Sequence, residues 1–206
     1  MKNKIKLVLF DLDGVLINSI SNMKFSWDKV NEKYRLKIPF KKYYNFIGIP
    51  FNDILKNLGI KKNLHSLIFK YYSLHSSKNI NKIKLYPNVK KTVKILNKKK
   101  IILGIVTSKD FARSKKILQK FNLRIKNLYS PSKYLRGKPH PDQLLLALKL
   151  NKILPKNTLF VGDTKYDYLA SKKAKIPFVF ASYGYGVKSA GYNRSISKLD
   201  DLLNFI

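Results

Sequence analysis

The chain contains no cysteine, which excludes disulfides, thiolate metal sites and a cysteine nucleophile but not an oxidising compartment. Acidic residues are scarce, 11 against 43 lysines and arginines. No apolar run approaches the roughly 20 residues that cross a bilayer. The opening MKNKIKLVLF has a charged start and an apolar tract, but Asp11 and Asp13 cut that tract short and no small-residue cleavage site follows, which argues against a signal peptide. The expectation is a cytoplasmic protein with no membrane partner. Histidine is rare as well, and His65, His75 and His140 do not fall at a metal-ligand spacing, so they read as structural or solvated.

What is present is positive charge, +32 over 206 residues. Such an excess raises nucleic acid, anionic membranes and anionic metabolites as partners. It is spread along the whole sequence, is mostly Lys, and comes with abundant Asn and Ile. That profile resembles coding bias in an AT-rich genome more than a dedicated polyanion surface, which calls for basic stripes with interleaved aromatics. No specific nucleic acid is therefore expected, although the background potential draws phosphorylated substrates inward. The rarity of acids makes their placement informative: Asp11, Asp13, Asp163 and Asp167 fall in two short segments.

A length of 206 residues and 45% hydrophobic content allow one or two domains with a real core. Residues 5–10 predict a buried parallel strand, because the run is almost wholly apolar rather than alternating. From Leu16 to about Lys82 aromatic and apolar residues recur at helical spacing, with breaks at Pro39, Gly48-Ile49-Pro50 and Gly59, which predicts about four helices. Pro87 is placed to open a helix through about Lys98. Strands at Ile101–Val106, Ile125–Tyr129, Thr158–Val161 and Phe178–Ala181 then alternate with helices at about Asp110–Phe121, Gln143–Leu150 and Tyr166–Lys175. A glycine-rich loop at 183–191 and a closing helix near Lys198–Phe205 complete the chain. Alternation of this kind implies right-handed crossovers and a doubly wound, Rossmann-like α/β sheet. Ligands bind such sheets at the carboxyl ends of the strands, where Asp11, Asp13, Thr107, Ser108 and Asp163 all stand.

Two carboxylates one residue apart at a strand end repel each other, which favours a shared proton or a divalent cation. Gly14 permits the sharp turn that follows. DLDGVL at 11–16, IVTS at 105–108, GKPHPD at 137–142 and GDTKYD at 162–167 occur in the order and spacing found in the haloacid dehalogenase-like (HAD) hydrolases. The resemblance covers nearly the whole chain and is to subfamily I, in the phosphoglycolate phosphatase-like and β-phosphoglucomutase-like branch.

The resemblance implies an α/β core over residues 1–15 and 84–206 with an inserted helical cap domain over 16–83. It implies a phosphoric monoester hydrolase that acts on a small phosphorylated metabolite of the phosphoglycolate, sugar phosphate or nucleotide type, as a monomer or homodimer. Asp11 matches the nucleophile that forms an aspartyl-phosphate, and Asp13 matches the general acid and base. Asp13 argues against the dehalogenase and phosphonatase branches, which lack that second carboxylate. Magnesium is the implied cofactor, held by Asp11, the backbone carbonyl of Asp13 and Asp163, with Asp167 as an outer or water-mediated ligand or, alternatively, only a helix N-terminal acid. Thr107, the Ser108 backbone N–H and Lys138 match the groups that bind the phosphoryl oxygens. The segment Phe46–Pro50 resembles the cap loop that faces the cleft, but it lacks the basic residue found there in β-phosphoglucomutases. A sugar-phosphate mutase of the same fold and, from a different class, a nucleic-acid-binding protein on a disused hydrolase scaffold stand as the alternatives.

Overall fold

The structure is a computed structural model that describes residues 4–187 and 191–206. Residues 1–3 of the opening and 188–190 of the glycine-rich loop lie outside the described residues. The chain runs β1 (Leu7–Phe10), β2 (Ile17–Asn18), α1 (Ile20–Tyr34), α2 (Phe40–Tyr44), α3 (Phe51–Asn57), α4 (Lys62–Lys78), β3 (Lys84–Leu85), α5 (Val89–Lys98) and β4 (Ile102–Val106). It continues through α6 (Phe111–Phe121), β5 (Asn127–Tyr129), α7 (Asp142–Asn151), β6 (Thr158–Gly162), α8 (Lys165–Ala174), β7 (Phe178–Ala181) and β8 (Ser195–Ile196), ending in 3-10 turns at Leu199–Phe205.

Six strands pair in parallel in the order β5-β4-β1-β6-β7-β8, the doubly wound α/β arrangement expected from the alternation. Strand β1 is central, and all four of its residues are fully buried. Alternate side chains go to opposite faces. Val8 and Phe10 pack in one cluster with Val89, Val93 and Leu96 of α5, while Leu7 and Leu9 pack in another with Leu144 and Ala147 of α7 and Ala170 of α8. Burying each of these side chains stabilises the fold by about 1.5–3 kcal/mol, which is why an unbroken apolar run is the sequence form of this strand.

Helices α1 to α4 carry a core of their own, built on Trp27, Val30, Tyr43, Leu55, Ile68 and Tyr72. The Trp27 ring lies 4.8 Å from that of Tyr43, and its Nε1–H donates to the Ile38 carbonyl at 2.9 Å. The aromatic residues of this region are therefore packing residues in the main, as their helical spacing suggests. Where the chain leaves and re-enters the larger layer, β2 and β3 pair antiparallel, Ile17 opposite Leu85.

Local features differ from expectation in three places. Pro87 precedes the helix instead of lying in its first turn, because Asn88 takes the N-cap with φ +62°, a left-handed conformation that Asn tolerates. The closing segment winds as 3-10 turns. Strand β8 has only two residues, too few for any periodicity to register.

Candidate active site

Register places the site. Phe10 of β1 stands opposite Val161 of β6 and Ile105 of β4, and the Asp11 N–H donates to the Val161 carbonyl at 2.8 Å. Asp11, Thr107 and Asp163 thus emerge together at the carboxyl edge of adjacent strands. Gly14 makes the turn beyond Asp13 with φ +89°, and a Cβ there would lie 2.0 Å from Asp163 Oδ2. Gly184 approaches from the other side, where a Cβ would lie 2.3 Å from Asp163 Cβ. The absence of two side chains lets the Asp163 carboxylate fit between two loops.

Asp11, Asp163 and Asp167 each bring one carboxylate oxygen within 4.8 Å of the others, and all three are buried. The Tyr185 backbone N–H donates to Asp163 Oδ2 at 2.6 Å, whereas Asp163 Oδ1 is buried without a hydrogen-bond partner among the described residues. Asp167 does two jobs. Its Oδ2 accepts from the Thr164 N–H at 3.0 Å and hydroxyl at 2.6 Å, closing a capping box on α8, while its Oδ1 meets Lys138 Nζ at 2.5 Å. The side chain is thus both the helix N-terminal acid and a member of the carboxylate group.

Lys138 Nζ also forms an ion pair with Asp11 Oδ1 at 2.8 Å, with the lysine side chain only 1% exposed. The Lys138–Pro139 peptide bond is cis. Burial pushes the Asp11 carboxyl up from 3.8 to about 7, against the opposing Lys138 and with help from Asp167 and Asp13. Burial likewise holds Asp163 well above the ordinary carboxylate range, reinforced by Asp167 and Asp11. Burial alone would lower the Lys138 ammonium, but Asp11 and Asp167 outweigh it and raise it.

Asp13 points elsewhere. Its Oδ1 accepts from the Ser19 hydroxyl, and its Oδ2 pairs with Lys109 Nζ at 3.0 Å. Of the four residues expected at a metal, three converge through their carboxylates; Asp13 was expected to contribute only its backbone carbonyl. Four carboxylates therefore face two ammonium groups. A buried carboxylate oxygen without a partner and an excess of negative charge fit an oxygen-liganded divalent cation.

Between the strand ends and the helical insertion lies a cavity of about 40 Å³. Asp11, Asp13, Thr107 and Lys138 form its floor, and Ile47, Gly48 and Ile49 reach it from the loop that the sequence marked as cleft-facing. Ser108 Oγ donates to the Gly48 carbonyl at 2.7 Å, tying the end of β4 to that loop. Thr107, only 1% exposed, accepts from the Lys109 N–H at 3.2 Å through its hydroxyl oxygen. Lys109 and Arg113 also line the cavity, and sequence reasoning passed over both. Their signal was position, just after the Thr-Ser pair, but among 43 cationic residues it does not stand out. Tyr185 was noted only as part of a loop, yet its hydroxyl accepts from the Ser19 N–H at 2.7 Å while its backbone holds Asp163.

Comparison with known proteins places these features in context. The family model described as haloacid dehalogenase-like hydrolase matches residues 8–181. A phosphoglycolate phosphatase from Pasteurella multocida is 31% identical over 199 residues, covering 87% of each chain. A pyrophosphatase, PpaX, from Anoxybacillus flavithermus is 29% identical over 204 residues, covering 98% of this chain and 89% of its own. Among solved structures, a haloacid dehalogenase-like family hydrolase from Streptococcus pneumoniae superposes with a TM-score of 0.84 at 22% identity, over 98% of each chain.

Proposed function

The chain belongs to the haloacid dehalogenase-like hydrolases, and from that membership we propose that it is a magnesium-dependent phosphatase working through an aspartyl-phosphate on Asp11. The observation that carries this reading is the buried Lys138 ammonium, 2.8 Å from Asp11 and 2.5 Å from Asp167, in the floor of a cavity that Asp13 and Thr107 also line. A phosphate monoester resists hydrolysis because an anionic nucleophile must approach an anionic ester. One buried cation beside the nucleophile reduces that repulsion; Asp11, the Asp13 carbonyl and Asp163, with Asp167 directly or through water, would hold a magnesium ion, which would supply the remaining charge neutralisation.

The residues then divide the work. A carboxylate oxygen of Asp11 forms the bond to phosphorus as the bond from phosphorus to the leaving oxygen breaks, and Asp13 gives that oxygen its proton. Asp13, now ionised, takes a proton from water as the water oxygen attacks the phosphorus of the acyl phosphate and releases Asp11. Thr107, the Ser108 N–H and Lys138 hold the equatorial oxygens. Ser19 and Lys109 fix the direction of the Asp13 carboxylate.

Residues 16–83 act as the cap, excluding water from the site. The closeness of the Ile47–Ile49 loop to Asp11 and Lys138, all lining one cavity, supports a small phosphorylated metabolite in preference to a polynucleotide. Phosphoglycolate, sugar phosphates, nucleotides and pyrophosphate are the compounds to test, the first and last being named for the relatives described above. The test is phosphate release with magnesium across such a panel, with generic aryl phosphates included. Release from none of them refutes the reading, isomer formation without release indicates a mutase, and salt-sensitive nucleic-acid binding that survives Asp11→Asn indicates the non-enzymatic alternative.

A further inference from the structure

The proposed chemistry leaves one buried charge unused. Arg113, in the first turn of α6, is 8% exposed and lines the cavity. Its Nε donates to Asp110 Oδ2 at 2.5 Å, and its guanidinium carbon stands 5.2 Å from the Tyr72 ring centroid and 5.7 Å from that of Phe69, both on α4. Its Nε is thus committed to Asp110, in an ion pair at one end of the guanidinium. Asp110 lines not the cavity but an open groove of about 760 Å³ along α3 and α4, whose wall Arg113 shares with the cavity. The carboxylates that line the cavity itself, Asp11 and Asp13, already have Lys138 and Lys109 as partners. The cavity therefore has a third cation, paired with Asp110 through Nε and not with a carboxylate that lines the cavity.

We propose that Arg113 is a specificity residue for a second anionic group on the leaving part of the substrate, so that the preferred esters are short and carry a carboxylate or a second phosphate close to the scissile bond. The proposal rests on the phosphatase reading and narrows its substrate class. A guanidinium presents several N–H donors in a fixed plane, and with Nε engaged its terminal nitrogens suit a carboxylate or phosphate. The two aromatic rings hold that plane in place. Asp110 compensates the charge and orients the group, and an anionic leaving group adds a charge-assisted hydrogen bond at the terminal nitrogens that a neutral one does not. Arg113 lines the same cavity as Asp11, Lys138 and the Ile47–Ile49 loop, so the two anionic ends it could serve lie close together.

Three two-carbon phosphates that differ only at the far end test this: phosphoglycolate, ethylene glycol bisphosphate and 2-hydroxyethyl phosphate. With the native protein and magnesium, kcat/KM for at least one of the two charged esters is expected to exceed that of the hydroxyl ester by on the order of 30-fold, the worth of one charge-assisted contact. Which of the two is favoured distinguishes a carboxylate from a phosphate. In Arg113→Met that ratio falls to about one, and in Arg113→Lys part of it returns. A native ratio near one overturns the proposal, as does an equal loss for all three esters in Arg113→Met, the mark of a structural role. If Arg113→Met does not fold by circular dichroism, the native series and Arg113→Lys decide. Hydrolysis of p-nitrophenyl phosphate without any preference in the series sinks this inference alone, whereas no release from any phosphate sinks it together with the phosphatase reading.

Discussion

The buried carboxylates make the stability of the protein depend on pH and divalent cation together. In the cation-free protein Asp11 titrates at about 7 instead of 3.8. The folded state thus keeps a proton that the unfolded chain releases at lower pH. Stability from this group is complete below 3.8 and falls as pH rises through about 7, a difference of three units or on the order of 4 kcal/mol by pH 8. Magnesium, the cation proposed above, is expected to bind the carboxylates in their ionised form and to offset the loss only where they are ionised.

At pH 8, with the cation about a hundredfold above its Kd, the gain is about 2.7 kcal/mol, or roughly 5–11 °C in Tm at about 2–4 °C per kcal/mol. At pH 5 only about one Asp11 in a hundred is ionised, so the same concentration is near the apparent Kd and the gain falls to about 0.4 kcal/mol, roughly 1–2 °C. Thermal melts by circular dichroism at the two pH values, with magnesium and with a chelator, measure this. An equal Tm gain at both values, or none at pH 8, refutes the argument that burial and mutual repulsion of these carboxylates are what the cation relieves.

Asp13→Asn is expected to lower kcat/KM, which reports formation of the acyl phosphate, by about 10²–10⁴ for an alkyl phosphate and by much less for p-nitrophenyl phosphate, whose leaving group needs no proton, while kcat falls for both through loss of the base for water; steady-state kinetics on the pair checks this. Gly14→Ala places a methyl 2.0 Å from Asp163 Oδ2 at φ +89° and destabilises by about 1–3 kcal/mol from backbone strain alone, with weaker magnesium binding by calorimetry as the accompanying sign. The +32 charge is expected to make KM for a phosphorylated substrate rise between low and physiological ionic strength, while kcat changes little.

Much of the frame was legible in the sequence because its signals are local. An apolar run marks a doubly buried strand, and scarce acids at strand ends mark an edge where charge is gathered, so Asp11, Asp163 and Asp167 could be named before any contact was known. The direction of Asp13 was not legible. It depends on Ser19, six residues on, and on Lys109 from the loop between β4 and α6, and neither contact leaves a periodic trace. Arg113 was hidden by number: a buried arginine cannot be told from a solvated one in so basic a chain until Tyr72, Phe69 and Asp110 are seen around it. Strand β8 and the Asn88 cap were missed because two residues and one left-handed dihedral fall below what composition can resolve.

The proposed mechanism depends on a covalent role for Asp11. Native protein turning over a phosphate ester with magnesium, quenched in acid and reduced with borohydride, should yield by mass spectrometry a peptide in which residue 11 alone has become homoserine, with no such product from Asp11→Asn or in the presence of chelator. Undiminished phosphate release by Asp11→Asn, or steady turnover with residue 11 never modified, would contradict it.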